Sequence, residues 1–156
     1  MPADVPRLGR LGALLLEEHY AFDRRRFLAP GQWTPADYAA YLGAQLDDPD
    51  SIVLVAEDAG EVIGYAYAVV EGYDYMALRG PAGVLHDLIV EPASRGSGAG
   101  RLLVDAVLAE LKSRAVPRVV LSAAERNERA QTFFAGLGFR RTMIEMTLEL
   151  DDERSR

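Results

Sequence analysis

The chain has 156 residues, of which 49% are hydrophobic and 26% charged, and this balance is typical of one globular domain with a sizeable core. It contains no cysteine, which excludes a disulfide framework, a thiolate zinc site and a cysteine nucleophile. The net charge of −7 argues against a nucleic-acid partner. No apolar run reaches the ~18 residues of a membrane span. We therefore expect a cytoplasmic protein without a membrane, nucleic-acid or metal partner.

The N-terminal half predicts two helices followed by a β-hairpin. Apolar residues at helical spacing predict a first helix over about residues 5–22. Thr34, Pro35 and Asp37 form a helix-start pattern, in which Thr34 caps the helix and the Asp37 carboxylate reaches back to it. Two β-rich runs on either side of Gly60 then predict the hairpin.

Strands and helices alternate in the C-terminal half. Residues 84–90, VLHDLIV, predict a strand apolar enough to lie centrally in its sheet. A glycine-rich turn and an amphipathic helix follow, and then RVVLSA, residues 118–123, predicts another strand. Asn127 caps a last helix, which ends before a glycine at 138. Residues 142–150, TMIEMTLEL, alternate apolar and polar side chains and predict a final strand.

This order of elements predicts an α/β fold with a mixed sheet. Residues 1–150 form one domain in this interpretation, and residues 151–156 are a short charged tail. The apolar face of the last predicted strand serves either the core or the pairing of two copies.

The sequence RGSGAG, residues 95–100, places bare backbone at the start of a helix. Converging N–H groups at such a position can bind a phosphate, and Arg95 and Arg101 add positive charge on either side. The dinucleotide fingerprint fails because Arg101 stands at its third glycine position. The P-loop pattern fails because it needs a Gly-Lys-Ser/Thr that this chain lacks. A glycine turn without a ligand stays open at this point.

Two motifs together resemble the GNAT superfamily of N-acetyltransferases. The family's coenzyme A pattern, Arg/Gln-x-x-Gly-x-Gly/Ala, is matched by Arg95, Gly98 and Gly100. Its second pattern, Asn-x-x-Ala-x-x-Phe-Tyr-x-x-x-Gly-Phe, is matched at Asn127, Ala130, Phe133, Gly138 and Phe139. The clear resemblance covers about residues 50–150. Relatives usually have a strand before the first helix, which here is either missing or upstream.

The resemblance implies a single-domain fold with a mixed, largely antiparallel sheet, flanking helices and a splayed central pair of strands. A bulge would open that pair into a cleft for acetyl-CoA. The backbone of residues 96–101 would hold its pyrophosphate, and the strand end at 88–90 would pair with its pantetheine arm. Phe134 would lie near that arm, although its spacing fits a core position equally well. The implied cofactor-binding residues are Leu88, Ile89, Val90, Arg95, Gly96, Ser97, Gly98, Ala99, Gly100, Arg101, Asn127 and Phe134.

The resemblance also implies direct attack of an amine on the thioester, which needs a base for the amine. Many relatives read Leu-Glu-Asp where this chain has Leu85, His86 and Asp87. An imidazole is a suitable base near neutral pH, so His86 is the first candidate and Asp87 the second. Strand alternation places His86 on the face of residues 88 and 90, and Asp87 on the opposite face.

The departing thiolate needs a proton donor, which the family often supplies as the tyrosine of its Phe-Tyr pair. Phe134 stands at that position here and cannot donate. Tyr73 and Tyr75, in the loop before the third strand, are candidate replacements, and solvent is another.

We therefore predict an acetyl-CoA-dependent N-acetyltransferase that acts on a primary amine of a small molecule or peptide. The alternative is an acyl-CoA-binding sensor that has lost catalysis. If the protein forms an assembly with itself, we expect a homodimer.

Overall fold

The computed structural model describes residues 2–150, so the predicted tail at 151–156 lies outside the described residues. Helices and strands follow one another along the chain in the order α1 (Val5–Phe22), α2 (Pro35–Gln45), β1 (Ser51–Asp58), β2 (Glu61–Glu71), β3 (Ala82–Val90), α3 (Ala99–Ser113), β4 (Val119–Leu121) and α4 (Glu128–Gly136). The capping box that starts α2 is present, since Asp37 donates its N–H to the Thr34 hydroxyl and the Thr34 N–H binds the Asp37 carboxylate.

The four strands form one sheet in the order β1-β2-β3-β4. The first three run antiparallel to their neighbours, and β3 runs parallel to β4. The predicted mixed, largely antiparallel α/β sheet is therefore confirmed. Its two faces carry separate apolar clusters, one under α3 and α4 and the other under α1 and α2.

Helices α1 and α2 approach each other closely because glycines line the contact. A Cβ built on Gly12 would lie 2.4 Å from Cδ1 of Tyr38, and one on Gly9 would lie 2.1 Å from the carbonyl oxygen of Pro35. The close approach fixes the position of the Tyr38 ring above the sheet.

Strand β3 carries a bulge at His86. Its register with β2 runs Tyr67↔Asp87 and then Ala68↔Leu85, which leaves His86 without a partner across the ladder. A bulge reverses the alternation of side chains beyond it. Leu85, before the bulge, and Leu88, after it, therefore both pack on the α3 side.

The parallel pairing of β3 with β4 ends at the same place. Only three pairs form, the last between Leu85 and Leu121, so the rest of β3 has an open edge. The predicted splay of the central strands is confirmed.

Two predictions about the C-terminal half were wrong in extent. The strand predicted over residues 118–123 is limited to Val119–Leu121, because pairing stops at the splay. Residues 142–150 form no strand at all, and their apolar side chains are exposed rather than in the core. No described strand pairs with these residues.

Candidate active site

A cleft of about 910 Å³ opens where β3 and β4 separate. Ten of the twelve predicted cofactor-binding residues line it, all except Ser97 and Phe134. The lining comes from the end of α1, the open half of β3, the glycine turn with the start of α3, and the start of α4. The volume lies in the range of about 300–1,000 Å³ that is usual for small-molecule sites.

The open edge of β3, which β4 does not pair, faces this cleft. Glu91 donates its N–H to the Ile63 carbonyl at 2.8 Å, toward β2. Every second residue of a strand directs its backbone N–H and C=O to the same side, so those of Ile89 also point toward β2. By the alternation of an antiparallel ladder, Leu88 and Val90 direct theirs toward the cleft. The Val90 carbonyl there accepts a hydrogen bond of 2.8 Å from Nε of Arg95.

The glycine turn presents the N-terminus of α3 to the cleft. Gly96 and Gly98 adopt φ values of +83° and +90°, which side chains other than glycine rarely adopt. The first bond inside the helix runs from the Leu102 N–H to the Gly98 carbonyl at 3.0 Å. The N–H groups of the preceding turn have no acceptor within the helix, a geometry that can bind an anion. Ser97 serves the turn itself, since its hydroxyl donates to the Ser94 carbonyl at 2.6 Å.

Arginines give the cleft a positive character in an acidic protein. Arg95 binds Glu18 of α1, and Arg101 binds Asp105 with Nε 3.0 Å from both carboxylate oxygens. Two further arginines, Arg126 and Arg129, line the cleft and were not predicted from the sequence. Their position on either side of Asn127, a predicted cofactor residue, is the signal that could have identified them.

Phe133 and Phe134, which match the Phe-Tyr pair of the family, lie in two different environments. Phe134, predicted to bind the cofactor, is only 9% exposed and packs in the core against Phe139, so its core interpretation holds. The neighbouring Phe133 lines the cleft instead. Asn127 lines it and caps α4, accepting the Ala130 N–H at 3.0 Å.

His86 lies on the opposite face of the sheet from the one that strand alternation predicts. Its ring stacks on Tyr67 at 5.5 Å between centroids, and Tyr67 belongs to the cluster under α1 and α2. The bulge is the cause, because His86 occupies the extra position. Its Nε2 lies 3.4 Å from Oε1 of Glu71, and its side chain is 42% exposed.

Asp87 lies on the same face and is half-buried. Tyr65 donates its hydroxyl to the Asp87 carboxylate at 2.9 Å. Burial raises the pKa of Asp87, while the Tyr65 hydrogen bond and the nearby His86 and His19 counteract part of that rise. Burial, together with the negative charge of Asp87, also raises the pKa of Tyr65. The bulge thus brings His86 and Asp87 to one side of the sheet, where alternation had separated them.

Aromatic rings that the sequence analysis did not single out for the site surround this pair. Trp33 contacts Tyr38 and Tyr41 edge-on, at 5.3 and 5.9 Å between ring centroids. Tyr41 contacts Tyr67 in turn, at 6.0 Å. Burial raises the pKa of Tyr38, with a further contribution from the charge of Asp87. No sequence motif marks these rings, because α2 and the sheet supply them from distant parts of the chain.

Tyr73 and Tyr75 stack on each other in the loop between β2 and β3, and they are 72% and 82% exposed. Neither lines the cleft. Within residues 2–150 there is no group of three or more His, Asp or Glu side chains that could hold a metal ion. Over the same residues, no helix has both the length and the apolar character to cross a bilayer.

Known proteins support the fold and its family. Mycothiol acetyltransferase of Thermobispora bispora is 35% identical over 120 residues, which are 74% of this chain and 39% of that protein. The chain thus spans less than two fifths of the length of this relative. A tetramutant of the BH1408 protein from Bacillus halodurans superposes with a TM-score of 0.82 at 24% identity, covering 96% of both chains.

A predicted acetyltransferase from Clostridium acetobutylicum, crystallised with acetyl-CoA, superposes with a TM-score of 0.73 at 20% identity, covering 96% of this chain and 92% of that one. The sequence model of the acetyltransferase (GNAT) family matches residues 15–139. That match covers most of the chain and includes the glycine turn and the Asn127 helix. The chain is a member of the GNAT acetyltransferase family.

Proposed function

We propose that this protein transfers the acetyl group of acetyl-CoA to a primary amine by direct attack within a ternary complex. The observation that carries the proposal is the cleft at the splay of β3 and β4, which gathers the glycine turn, the open edge of β3 and Asn127. The name of the relative from T. bispora, an acetyltransferase, is consistent with it.

The residues of the cleft fit coenzyme A in three respects. The N–H groups at the start of α3 and the arginines around them suit a pyrophosphate. The Leu88 and Val90 backbone at the open edge suits the amide-bearing pantetheine arm, as an added strand would. The backbone N–H of Leu88 also suits the thioester carbonyl as a donor. When bound, acetyl-CoA supplies an activated acetyl group.

The acceptor amine would lie on the α1–α2 side of β3. Glu71 and Asp87 provide negative charge there, and Tyr41, Tyr67 and Trp33 provide aromatic rings that attract a cation. A protonated primary amine fits this environment better than an anion does. The acceptor in this proposal is a small molecule or a peptide amine, as the sequence suggests.

His86 is the proposed base. Its ring is partly exposed, so it can take a proton from the amine and release it to solvent. Stacking on Tyr67 holds the ring in place, and Glu71 stabilises the imidazolium that proton transfer creates. Asp87 is proposed to attract the amine rather than to deprotonate it, since Tyr65 already occupies its carboxylate.

The proton donor to the thiolate is assigned by a separate test. Tyr73 and Tyr75 are the candidates in the chain, and both are highly exposed. If the double variant Y73F/Y75F turns over normally, solvent supplies this proton. A large loss of kcat would assign it to the tyrosine loop.

The alternative function is a non-catalytic acyl-CoA sensor, which Phe134 in the family's tyrosine position favours. Calorimetric titration with acetyl-CoA, with NADH as a control, tests the cleft first. Release of CoA thiol during incubation with a panel of amines then separates the functions, and the thiol assay has no protein background because the chain lacks cysteine. Tight binding of acetyl-CoA without release of CoA in the presence of any amine supports the sensor.

The homodimer predicted from the sequence also belongs to this proposal, and the exposed apolar segment at 142–150 supports it.

A further inference from the structure

Arg79 lies near the end of the loop of residues 72–81, between β2 and β3, and its side chain is only 16% exposed. Its N–H donates to the Asp74 carbonyl at 2.9 Å, and the Asp74 N–H donates to the Arg79 carbonyl at 2.8 Å. The Asp74 carboxylate accepts the N–H groups of Met76 and Ala77, each at 3.0 Å. The backbone of Arg79 is therefore fixed at the base of a closed turn.

The guanidinium group of Arg79 is held at several points. Its Nη2 lies 2.8 Å from Oε2 of Glu71, and its Nη1 donates to the Gly80 carbonyl at 3.3 Å. Asp74 adds a longer charge contact, with Oδ2 3.7 Å from Nη2. A planar guanidinium with these partners has a fixed orientation, so it also fixes the carboxylate that it binds.

Glu71 joins Arg79 to His86, because each of its carboxylate oxygens faces a different partner. Oε2 faces Arg79, whereas Oε1 lies 3.4 Å from Nε2 of His86. That separation is longer than the about 2.7–3.2 Å of an ordinary hydrogen bond. Catalytic hydrogen bonds are often long in a free enzyme and shorten in its complexes. The three side chains thus connect the loop to the ring of the proposed base.

The order of these contacts decides which ring nitrogen of His86 is basic. An ionised carboxylate only accepts hydrogen bonds, so the hydrogen atom between Glu71 and His86 belongs to Nε2. A neutral imidazole has one N–H group, so the other nitrogen, Nδ1, carries the free electron pair. If Glu71 is not fixed, the hydrogen atom distributes over both nitrogens.

We propose that Arg79 is a positioning residue, which holds Glu71 so that its Oε1 accepts the Nε2 hydrogen of His86 and leaves Nδ1 to take the proton of the amine. This role rests on the proposed function, in which His86 is the base. In the step itself, an N–H bond of the ammonium group breaks, its electron pair stays on the amine nitrogen, and the proton moves to Nδ1. The imidazolium keeps its Nε2 hydrogen bond to Glu71 and then loses the Nδ1 proton to solvent.

The first test is spectroscopic and needs no turnover. Protein labelled with ¹⁵N-histidine gives signals from two imidazoles only, His19 and His86, and the His86→Ala protein assigns them. Long-range proton–nitrogen spectra in alkaline solution, where imidazole is neutral, show which nitrogen carries the hydrogen. His86 is expected to carry it on Nε2 alone in the wild type, and on either nitrogen in Arg79→Gln. His19 is the internal reference, since its Nδ1 lies 2.8 Å from the Leu15 carbonyl and should carry the hydrogen in both proteins.

The second test is kinetic and uses an amine that the wild type acetylates. Arg79→Gln is expected to lower kcat about tenfold to a hundredfold with an unchanged KM for acetyl-CoA, because the base is misplaced and the cleft is intact. Arg79→Lys keeps a cation that reaches Glu71 and should recover most of the loss. Arg114→Gln is the matched control and should leave kcat unchanged. Arg114 follows α3 and binds Glu110 at 2.8 Å and the Pro49 carbonyl at 2.6 Å.

A double variant separates positioning of His86 from any other effect of Arg79. In a His86→Ala background, Arg79→Gln should lower kcat no further, since Arg79 acts only through His86. A further loss there overturns the proposal, and so does an Arg79→Gln protein with the kcat of the wild type. Circular dichroism checks that each variant folds.

The spectra decide the proposal independently of turnover. A wild-type His86 ring with its hydrogen on Nδ1 overturns it, as does an Arg79→Gln ring that stays wholly in the Nε2 form. If no amine is acetylated, the proposed function fails, while the spectra still show whether Arg79 orients the ring.

Discussion

Tyr65 donates its hydroxyl to Asp87 across neighbouring strands at 2.9 Å, beneath α1 and α2. Strict alternation along β3 would place His86 and Asp87 on opposite faces of the sheet. The bulge at His86 keeps both on the face under α1 and α2, where Tyr65 lies. One inserted residue therefore creates the polar, aromatic side of the proposed acceptor site.

The Tyr65–Asp87 pair predicts a pH-dependent effect of Asp87→Asn on stability. Because burial raises the pKa of Asp87 in the folded state, the free energy of unfolding falls as the pH rises from the ordinary pKa of the carboxyl group through the raised one. Asn cannot ionise and still accepts from Tyr65. The variant should therefore melt at a higher temperature than the wild type at pH 8, and the difference should shrink toward pH 4.

Tyr65→Phe is the matched variant for that pair. It leaves the half-buried carboxylate without its donor and should cost about 1–3 kcal/mol at pH 8, measured by urea unfolding. An Asp87→Asn protein that is less stable than the wild type at pH 8 would contradict this account of the pair.

The glycine turn predicts that Gly100→Ala separates binding from stability. A Cβ at Gly100 would meet only Cγ2 of Val90, at 3.8 Å, so the fold tolerates it, and alanine favours the helix by about 0.5–1 kcal/mol. The methyl group would nevertheless enter the cleft beside the N–H groups of α3. Calorimetry should show acetyl-CoA affinity about tenfold lower, a change of about 1.4 kcal/mol.

Gly136→Ala is the control for Gly100→Ala. Gly136 lies in the last turn of α4, outside the cleft, and a Cβ there meets nothing within 4 Å. It should leave acetyl-CoA affinity unchanged. Equal affinities for the two alanine variants would show that the turn does not hold the cofactor.

His86→Ala should remove the acid limb of the pH–rate profile. Loss of a general base typically lowers kcat by about 10²–10⁴-fold. The acid limb of the profile reports protonation of the base, so the variant should show a flat profile on that side. Glu71→Gln is the comparison, because it keeps the imidazole and should retain the limb while raising KM for a cationic amine. An unchanged profile in His86→Ala would exclude His86 as the base.

The close contact of α1 with α2 predicts a large difference between two glycine variants. Gly12→Ala places a Cβ 2.4 Å from the Tyr38 ring and should destabilise the protein by about 1–3 kcal/mol. Gly43→Ala meets only Val5, with Cγ1 at 3.4 Å, and should be close to neutral. Thermal unfolding of both proteins makes the comparison. Similar melting temperatures for the two would contradict the tight packing of Tyr38.

Local signals in the sequence predicted most of the helices and strands. The Thr34 capping box, the hairpin at Gly60 and the Asn127 cap depend on residues near one another in the chain, and all three are present. The residues of the cleft were named through the family resemblance, and ten of the twelve residues that it implied line the cleft.

The remaining parts depend on distant contacts that no local pattern records. The bulge placed His86 on the face opposite to the predicted one, because alternation cannot register an inserted residue. The rings of Trp33 and Tyr67 meet around the acceptor side only through tertiary packing. The alternation at 142–150 predicted a strand, but these residues pair with no described strand and their apolar side chains are exposed.

The central claim is direct transfer of acetyl from acetyl-CoA to an amine, and deuterated acetyl-CoA tests it most directly. Mass spectrometry of the quenched reaction would follow the label on the amine, on the protein and on CoA. The account predicts labelled N-acetyl product in a one-to-one ratio with free CoA, and no labelled protein at any time. Label on the protein before the product, or no product from any amine despite saturating acetyl-CoA, would contradict it.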